Sequence, residues 1–185
     1  MSKVDPLEME GIRLLNSTLS NDNRGQLAKV LENSNSSDGT NFGDINSLLI
    51  ANNTHTGTIR GMHFQARPFV EKKFVACLRG KILDVVVDLR LWSKTYGCWA
   101  AVELSGETLN SLVLPEGVAH GYQTLTSNTS IIYAVSPEYS AEDSYSLRFD
   151  DESVGIEWPL LVSQISKRDE HGISLQQATK LINSP

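Results

Sequence analysis

No stretch of this chain approaches the roughly 18 apolar residues in a row that a membrane-spanning helix requires. The N-terminus, Met1-Ser2-Lys3-Val4-Asp5-Pro6, has no apolar core of an export signal. With neither feature, a cytoplasmic protein with no membrane partner is expected. Cysteine is scarce: Cys77 and Cys98 are the only two, without CxxC spacing, and both sit in strand-like apolar runs. That excludes a disulfide framework and points to reduced, buried thiols. Basic charge is short as well, 16 Lys and Arg against 22 Asp and Glu, for a net charge of -6. General nucleic-acid binding normally needs a basic excess, so no nucleic-acid partner is expected. Internal repeats, heptads and a GxGxxG fingerprint are missing too, which excludes solenoids, coiled coils and the usual dinucleotide fold.

What is present is a single domain over residues 1–185 with 40% apolar content, enough for a sizeable core. Asn33 to Asn41 is polar, contains glycine and lacks periodicity, as a surface loop does. From Ile45 the chain breaks into short runs rich in Val, Ile and aromatics: 47–51, 73–78, 82–89, 99–104, 111–114 and 130–135. Turn residues punctuate them, which is the pattern of an antiparallel sandwich or barrel. One terminal helix is expected, capped by Ser174 and running from Leu175 to Ile182 with Leu175, Ala178 and Ile182 on one face. It should pack outside the barrel.

Alternation assigns faces within the strands. Along Ile82 to Asp88, the two acids share a side with Ile82 and Val86, while Leu83, Val85 and Val87 share the other. Lys73, Val75 and Cys77 also share a side, so Lys73 and Asp84 are expected to pair inside the barrel, because a buried acid needs a partner. The segment Gly57-Thr58-Ile59-Arg60-Gly61-Met62-His63-Phe64-Gln65 sets a cation and an imidazole three residues apart. Strict alternation would send them to opposite faces, so a bulge at Gly61 is expected to turn both inward. Against the overall negative charge, an anionic ligand needs a local cationic focus, for which Arg24, Arg60, Lys72, Lys73 and Arg168 are the candidates. Lys72 and Arg168 taken alone read as solvated surface charges, and His55 and His171 as structural.

Six segments, in order, resemble the dTDP-4-dehydrorhamnose 3,5-epimerase family of cofactor-independent sugar-nucleotide epimerases. They are 57–65, Lys73-Phe74-Val75, 80–90 (Gly-Lys-Ile-Leu-Asp-Val-Val-Val-Asp-Leu-Arg), Thr95-Tyr96-Gly97, 115–122 (Pro-Glu-Gly-Val-Ala-His-Gly-Tyr) and 155–160 (Gly-Ile-Glu-Trp-Pro-Leu). The resemblance implies an all-β, cupin-like jelly-roll barrel with short peripheral helices, assembled as a homodimer. It implies His63 as general base oriented by Asp169, Tyr133 as acid on the opposite face of the sugar, and Lys73 near the C4 oxygen. His120, with Asp84 and Tyr139, would belong to the sugar pocket, and Arg60 with Arg24 would hold the diphosphate of a nucleoside-diphosphate sugar. It implies no cofactor and no metal.

The chemistry accounts for these residue types. Hydrogen beside a ketone becomes removable when the enolate oxygen is stabilised by a positive donor in a dry site. Inverting the centre then needs two acid/base groups flanking the ring. A metal-dependent relative would usually show a His-x-His pair with a carboxylate, whereas His63-Phe64-Gln65 supplies one histidine. The nucleotide end departs from the family, with Ser20 for its usual phenylalanine, Lys29 for a glutamate and a shortened Ile50 to Thr54 segment. Inversion of both C3 and C5 is the leading reading. Inversion of one centre, another nucleotide carrier and a non-catalytic sugar-nucleotide binding module are the alternatives.

Overall fold

Alternation decides which way each strand faces, and the chain sets two sheets face to face around a core. The computed structural model describes residues 2–31, 45–136 and 138–183. The expected loop from Asn33 to Asn41 lies outside the described residues. In chain order the strands are β1 (Arg13–Leu15), β2 (Leu19–Asp22), β3 (Gly25–Ala28), β4 (Ser47–Asn53), β5 (Ile59–Gln65), β6 (Lys72–Arg79) and β7 (Lys81–Asp88). They continue with β8 (Trp99–Ser105), β9 (Ser111–Leu114), β10 (Val118–Thr124), β11 (Thr129–Ser136) and β12 (Ser144–Ser146), then helices α1 (Lys167–Glu170) and α2 (Leu175–Asn183). One antiparallel sheet runs β1-β9-β6-β11-β4, and the second runs β12-β5-β10-β7-β8. Strands β2 and β3 form a separate ribbon.

The inner core lies between the sheets. Val75, Cys77, Leu112, Leu114 and Ile131 from the first meet Ile82, Val86, Ala100, Leu104 and Val118 from the second. These are the sides that alternation selected on β6 and β7. The opposite side of β7, Val85 and Val87, packs with Met62 and Phe64 beneath Leu175, Ala178 and Ile182 of α2. The expected outer helix is therefore present. Ser174 and Gln177 close its first turn reciprocally, as the Ser174 N–H donates to Gln177 Oε1 at 3.0 Å and the Gln177 N–H to Ser174 Oγ at 3.4 Å. Each fully buried Leu or Ile on that face contributes about 1.5–3 kcal/mol of transfer free energy.

Burying both faces of β7 also buries its acids, and their partners differ from expectation. Asp88 takes a two-pronged bond from Arg90 and further hydrogen bonds from Ser93 and Thr95. Asp84 pairs with His120 at 2.8 Å, not with Lys73. The reason is topological. Strands β6 and β7 follow one another in sequence but belong to opposite sheets, whereas His120 on β10 is the diagonal same-face neighbour of Asp84 within one sheet.

The expected bulge is present between β5 and β10. His120 is paired with His63 and Tyr122 with Arg60, so two steps along β10 match three along β5. Glycine is required there. Gly61 has φ +118°, and a Cβ on it would lie 2.6 Å from Gly121 Cα. The two strands approach through paired glycines, and the extra residue brings Arg60 and His63 toward the same interior. Gly61→Ala is expected to destabilise the fold by about 2 kcal/mol, since a left-handed φ and a backbone clash both oppose it. Chemical denaturation checks this; an unchanged midpoint would remove the bulge from its proposed structural role.

Candidate active site

Two adjoining concavities open between the sheets. The inner one is lined by Arg60, His63, Lys73, His120, Tyr122 and Tyr133. The outer one, of about 350 Å³, shares His63, Lys73 and Tyr133 and adds Glu71, Tyr139 and Arg168. Tyr133 and Lys73 come from adjacent strands of the first sheet, β11 and β6, with Lys73 two residues from Val75, the cross-strand partner of Tyr133. His63 comes from β5 of the second sheet. The phenol and the imidazole therefore approach the cavity from opposite walls.

His63 is fixed from behind. Its Nε2 lies 2.7 Å from Asp169 Oδ1, and the same oxygen accepts from Ser146 Oγ at 2.8 Å. The Gly61 N–H donates to Asp169 Oδ2 at 3.3 Å. Burial by itself would raise the Asp169 carboxyl, but the His63 ring, the Ser146 hydroxyl and the Gly61 N–H outweigh it and hold the carboxyl at about 2. An ionised carboxylate only accepts, so Nε2 carries hydrogen and the lone pair of a neutral His63 resides on Nδ1. Asp169 owes its position to α1. The Ser166 hydroxyl accepts from the Asp169 N–H at 3.1 Å and caps this single turn.

The other basic side chains divide into two kinds. His120 Nε2 is 2.8 Å from Asp84 Oδ2, and Lys73 Nζ is 2.8 Å from Glu71 Oε1. Asp84 is thus covered by His120 and lies behind the cavity wall, which corrects its expected place as a substrate contact. Arg60 makes no ion pair among the described residues. Its Nε donates to the amide oxygen of Asn53 at 2.8 Å, and Asn53 also meets the Tyr122 phenol. Burial pushes that phenol up to about 12, with a smaller opposing pull from Asn53 and Arg60, so Tyr122 stays protonated.

Of the expected site residues, His63, Tyr133, Lys73, Arg60, His120 and Tyr139 line the connected cavities, with Asp169 and Asp84 behind the two imidazoles. Arg24 does not join them. It occupies the turn of the β2–β3 ribbon, paired with Asp22 at 2.5 Å, and lines a separate surface depression. Arg168, read from sequence as a surface charge, is exposed as expected and stands at the rim of the outer cavity, where its Nη2 donates to the Ser144 carbonyl and hydroxyl. Asn53 and Glu71 were missed, though both sit two residues or one strand away from named cations. His55 and His171 remain outside. The His55 carbonyl binds two threonine hydroxyls, and the exposed His171 ring meets the Lys167 carbonyl.

A family model described as dTDP-4-dehydrorhamnose 3,5-epimerase matches residues 6–177. The chain belongs to this family. A dTDP-4-dehydrorhamnose 3,5-epimerase of Sinorhizobium fredii is 46% identical over 120 residues, 64% of this chain and 62% of the relative. The matched stretch is thus less than two thirds of that relative's length. Among solved structures, a 4-keto-6-deoxy sugar epimerase from the novobiocin gene cluster of Streptomyces spheroides superposes with a TM-score of 0.87. It is 28% identical, covering 94% of this chain and 87% of that one. A 3'-monoepimerase from Streptomyces bikiniensis, in complex with dTDP-quinovose, superposes with a TM-score of 0.85 at 30% identity, covering 96% and 90%. The cupin-like jelly roll expected of this epimerase family is the fold observed.

The acid dependence of Asp169 can be measured. Its folded value of about 2 lies below the ordinary 3.8, so its stabilisation is complete above about pH 4 and disappears as pH falls through 2. The difference corresponds to about 2 kcal/mol. Denaturation between pH 5 and pH 2 should show the native protein losing about that much more stability than Asp169→Asn. Equal losses would mean that the carboxylate is not held ionised by its partners.

Proposed function

We propose that this chain inverts C3 and C5 of a nucleoside-diphosphate 4-keto-6-deoxyhexose, converting dTDP-4-dehydro-6-deoxyglucose to dTDP-4-dehydrorhamnose. The observation that carries the proposal is that His63, Lys73 and Tyr133 line one cavity, with base and phenol on opposite walls. Nδ1 of His63 takes the hydrogen beside the C4 ketone, and the electron pair moves onto the C4 oxygen. The Lys73 ammonium stabilises that enolate. Tyr133 then returns a proton to the other face of the same carbon, which completes the inversion. The imidazolium and phenolate reset by exchange with solvent, and the sequence repeats at the second centre. Asp169 stabilises the imidazolium formed in each turn.

Charge divides the cavity into a sugar end and a phosphate end. His63, His120 and Lys73 each have a carboxylate beside them and suit an uncharged keto-sugar. Arg60, held by an amide, keeps its full charge and suits a diphosphate oxygen. We assign Tyr139, which lines the outer cavity with His63, Lys73 and Tyr133, to the sugar pocket. Arg24 lines a separate depression in this chain, and we propose that it reaches the ligand of a second copy in a homodimer. Leu48 and Ile50, each 62% exposed on the edge strand β4, and Leu27 on the ribbon offer the apolar surface for it. No helix among the described residues is long and apolar enough to cross a membrane. Cytoplasmic sugar-nucleotide metabolism is the setting we propose.

The likeness to a 3'-monoepimerase favours one specific second reading, inversion at a single centre. Incubation with dTDP-4-dehydro-6-deoxyglucose in heavy water separates the two readings by NMR. Deuterium at both C3 and C5 supports the double inversion, deuterium at one supports the alternative, and tight binding without exchange leaves a binding module. Replacing the carrier with other nucleoside diphosphates tests the substitutions at Ser20 and Lys29. His63→Ala is expected to lower exchange at least 100-fold with ligand binding retained; undiminished turnover would remove His63 from its role. Tyr133→Phe should slow completed inversion more than first exchange, and equal slowing would remove Tyr133 as the acid.

A further inference from the structure

Lys73 enters the mechanism as a cation, yet its surroundings are poor in water. Its side chain is 10% exposed, and its partner across 2.8 Å, Glu71, is 11% exposed. Both line the outer cavity. The pair is built by strand geometry: residues two apart on extended chain point the same way, so Glu71, just ahead of β6, accompanies Lys73 inward while Lys72 between them is exposed.

We propose that Glu71 is a positioning residue for the reaction, holding Lys73 in its charged form and aiming its ammonium at the C4 oxygen. The inference rests on the function proposed above. Taking an amine out of water disfavours its charged form, and an anion in hydrogen-bond contact restores it. An ammonium has three hydrogens in fixed tetrahedral directions. With one directed at Glu71, the other two are turned away from it, and one of them is available for an oxygen in the cavity. A lone lysine on the same strand could turn toward any wall.

Other charges near the ammonium do not replace this carboxylate. From β11 comes the Tyr133 phenol, from β5 the His63 ring and Arg60, from β10 His120 and Tyr122, and from α1 Arg168. Strand β9 sets Leu114 opposite Lys73. Asp84 and Asp169 are the other acids nearby, and each is already engaged by an imidazole. Glu71 is therefore the carboxylate that serves Lys73 among the described residues.

Glu71→Gln keeps shape and one acceptor but removes the charge. Its kcat–pH profile should lose activity at lower pH on the alkaline side than the native profile, by about one pH unit, with KM changed less than threefold. Glu71→Asp, which keeps charge but shortens reach, should lower kcat about tenfold while leaving the alkaline side in place. A purely structural contribution would lower both profiles without moving either along the pH axis, and that result would overturn the proposal. Labelling of Lys73 with an amine-selective acylating reagent, followed by peptide mass spectrometry across pH, reads the same charge without turnover. Earlier labelling in Glu71→Gln supports the assignment, and coincident curves overturn it. Should the native chain fail to exchange the keto-sugar, the proposed function falls, and the labelling comparison still decides whether Glu71 holds the charge.

Discussion

A charge placed inside a barrel must bring its counter-charge, because an unpaired ion in that setting costs several kcal/mol. In this molecule that requirement organises the interior. Asp169 stands behind His63, Asp84 behind His120, Glu71 beside Lys73 and Asp88 beneath Arg90. Three of these pairs face the cavity, and each presents one basic group whose position and hydrogen-bond direction are already set. Arg60, exposed at the cavity and anchored by the Asn53 amide, has no carboxylate beside it among the described residues and so has charge to offer a ligand. The contrast between neutralised and unneutralised cations gives an otherwise acidic protein a place for an anion.

The two-sheet architecture then supplies what the proposed inversion needs. Groups on one strand or one sheet would reach a sugar ring from one side. Here Tyr133 and His63 belong to different sheets, and the gap between the sheets is where the ring would lie. The inner core of Val, Ile and Leu closes the far end of that gap, which keeps the electrostatics strong where the enolate would form.

Much of this was legible along the chain. Period-two alternation gave the inward sides of β6 and β7, and the conflict between alternation and the Arg60 to His63 spacing revealed the bulge. Partnerships between strands were not legible, because alternation says which way a residue points but not which strand lies beside it. Lys73 and Asp84 both point inward, yet they sit on opposing sheets, and each found a nearer partner. Arg168 is the exposed charge that the sequence suggests, but its place at the cavity rim depends on α1. Nothing local to the C-terminal segment shows that α1 folds back over the cavity mouth, although the Ser166 cap beside Asp169 was a usable sign. Arg24 lies on the separate β2–β3 ribbon, and alternation along the chain does not show where that ribbon sits relative to the cavity. Asn53 carried only a weak signal, being one polar residue among several in its stretch.

The glycine pair where β5 meets β10 has a consequence for how this scaffold can change. One supernumerary residue in β5 sets the side-chain parity of everything beyond it, so removing or adding a residue there would swap the cavity-facing and helix-facing rows of the strand at a stroke. No compensating loop adjustment can repair a parity error inside a hydrogen-bonded strand. The turns and ribbons around this barrel can change length without that cost, whereas the count of residues between the Arg60 guanidinium and the His63 imidazole cannot.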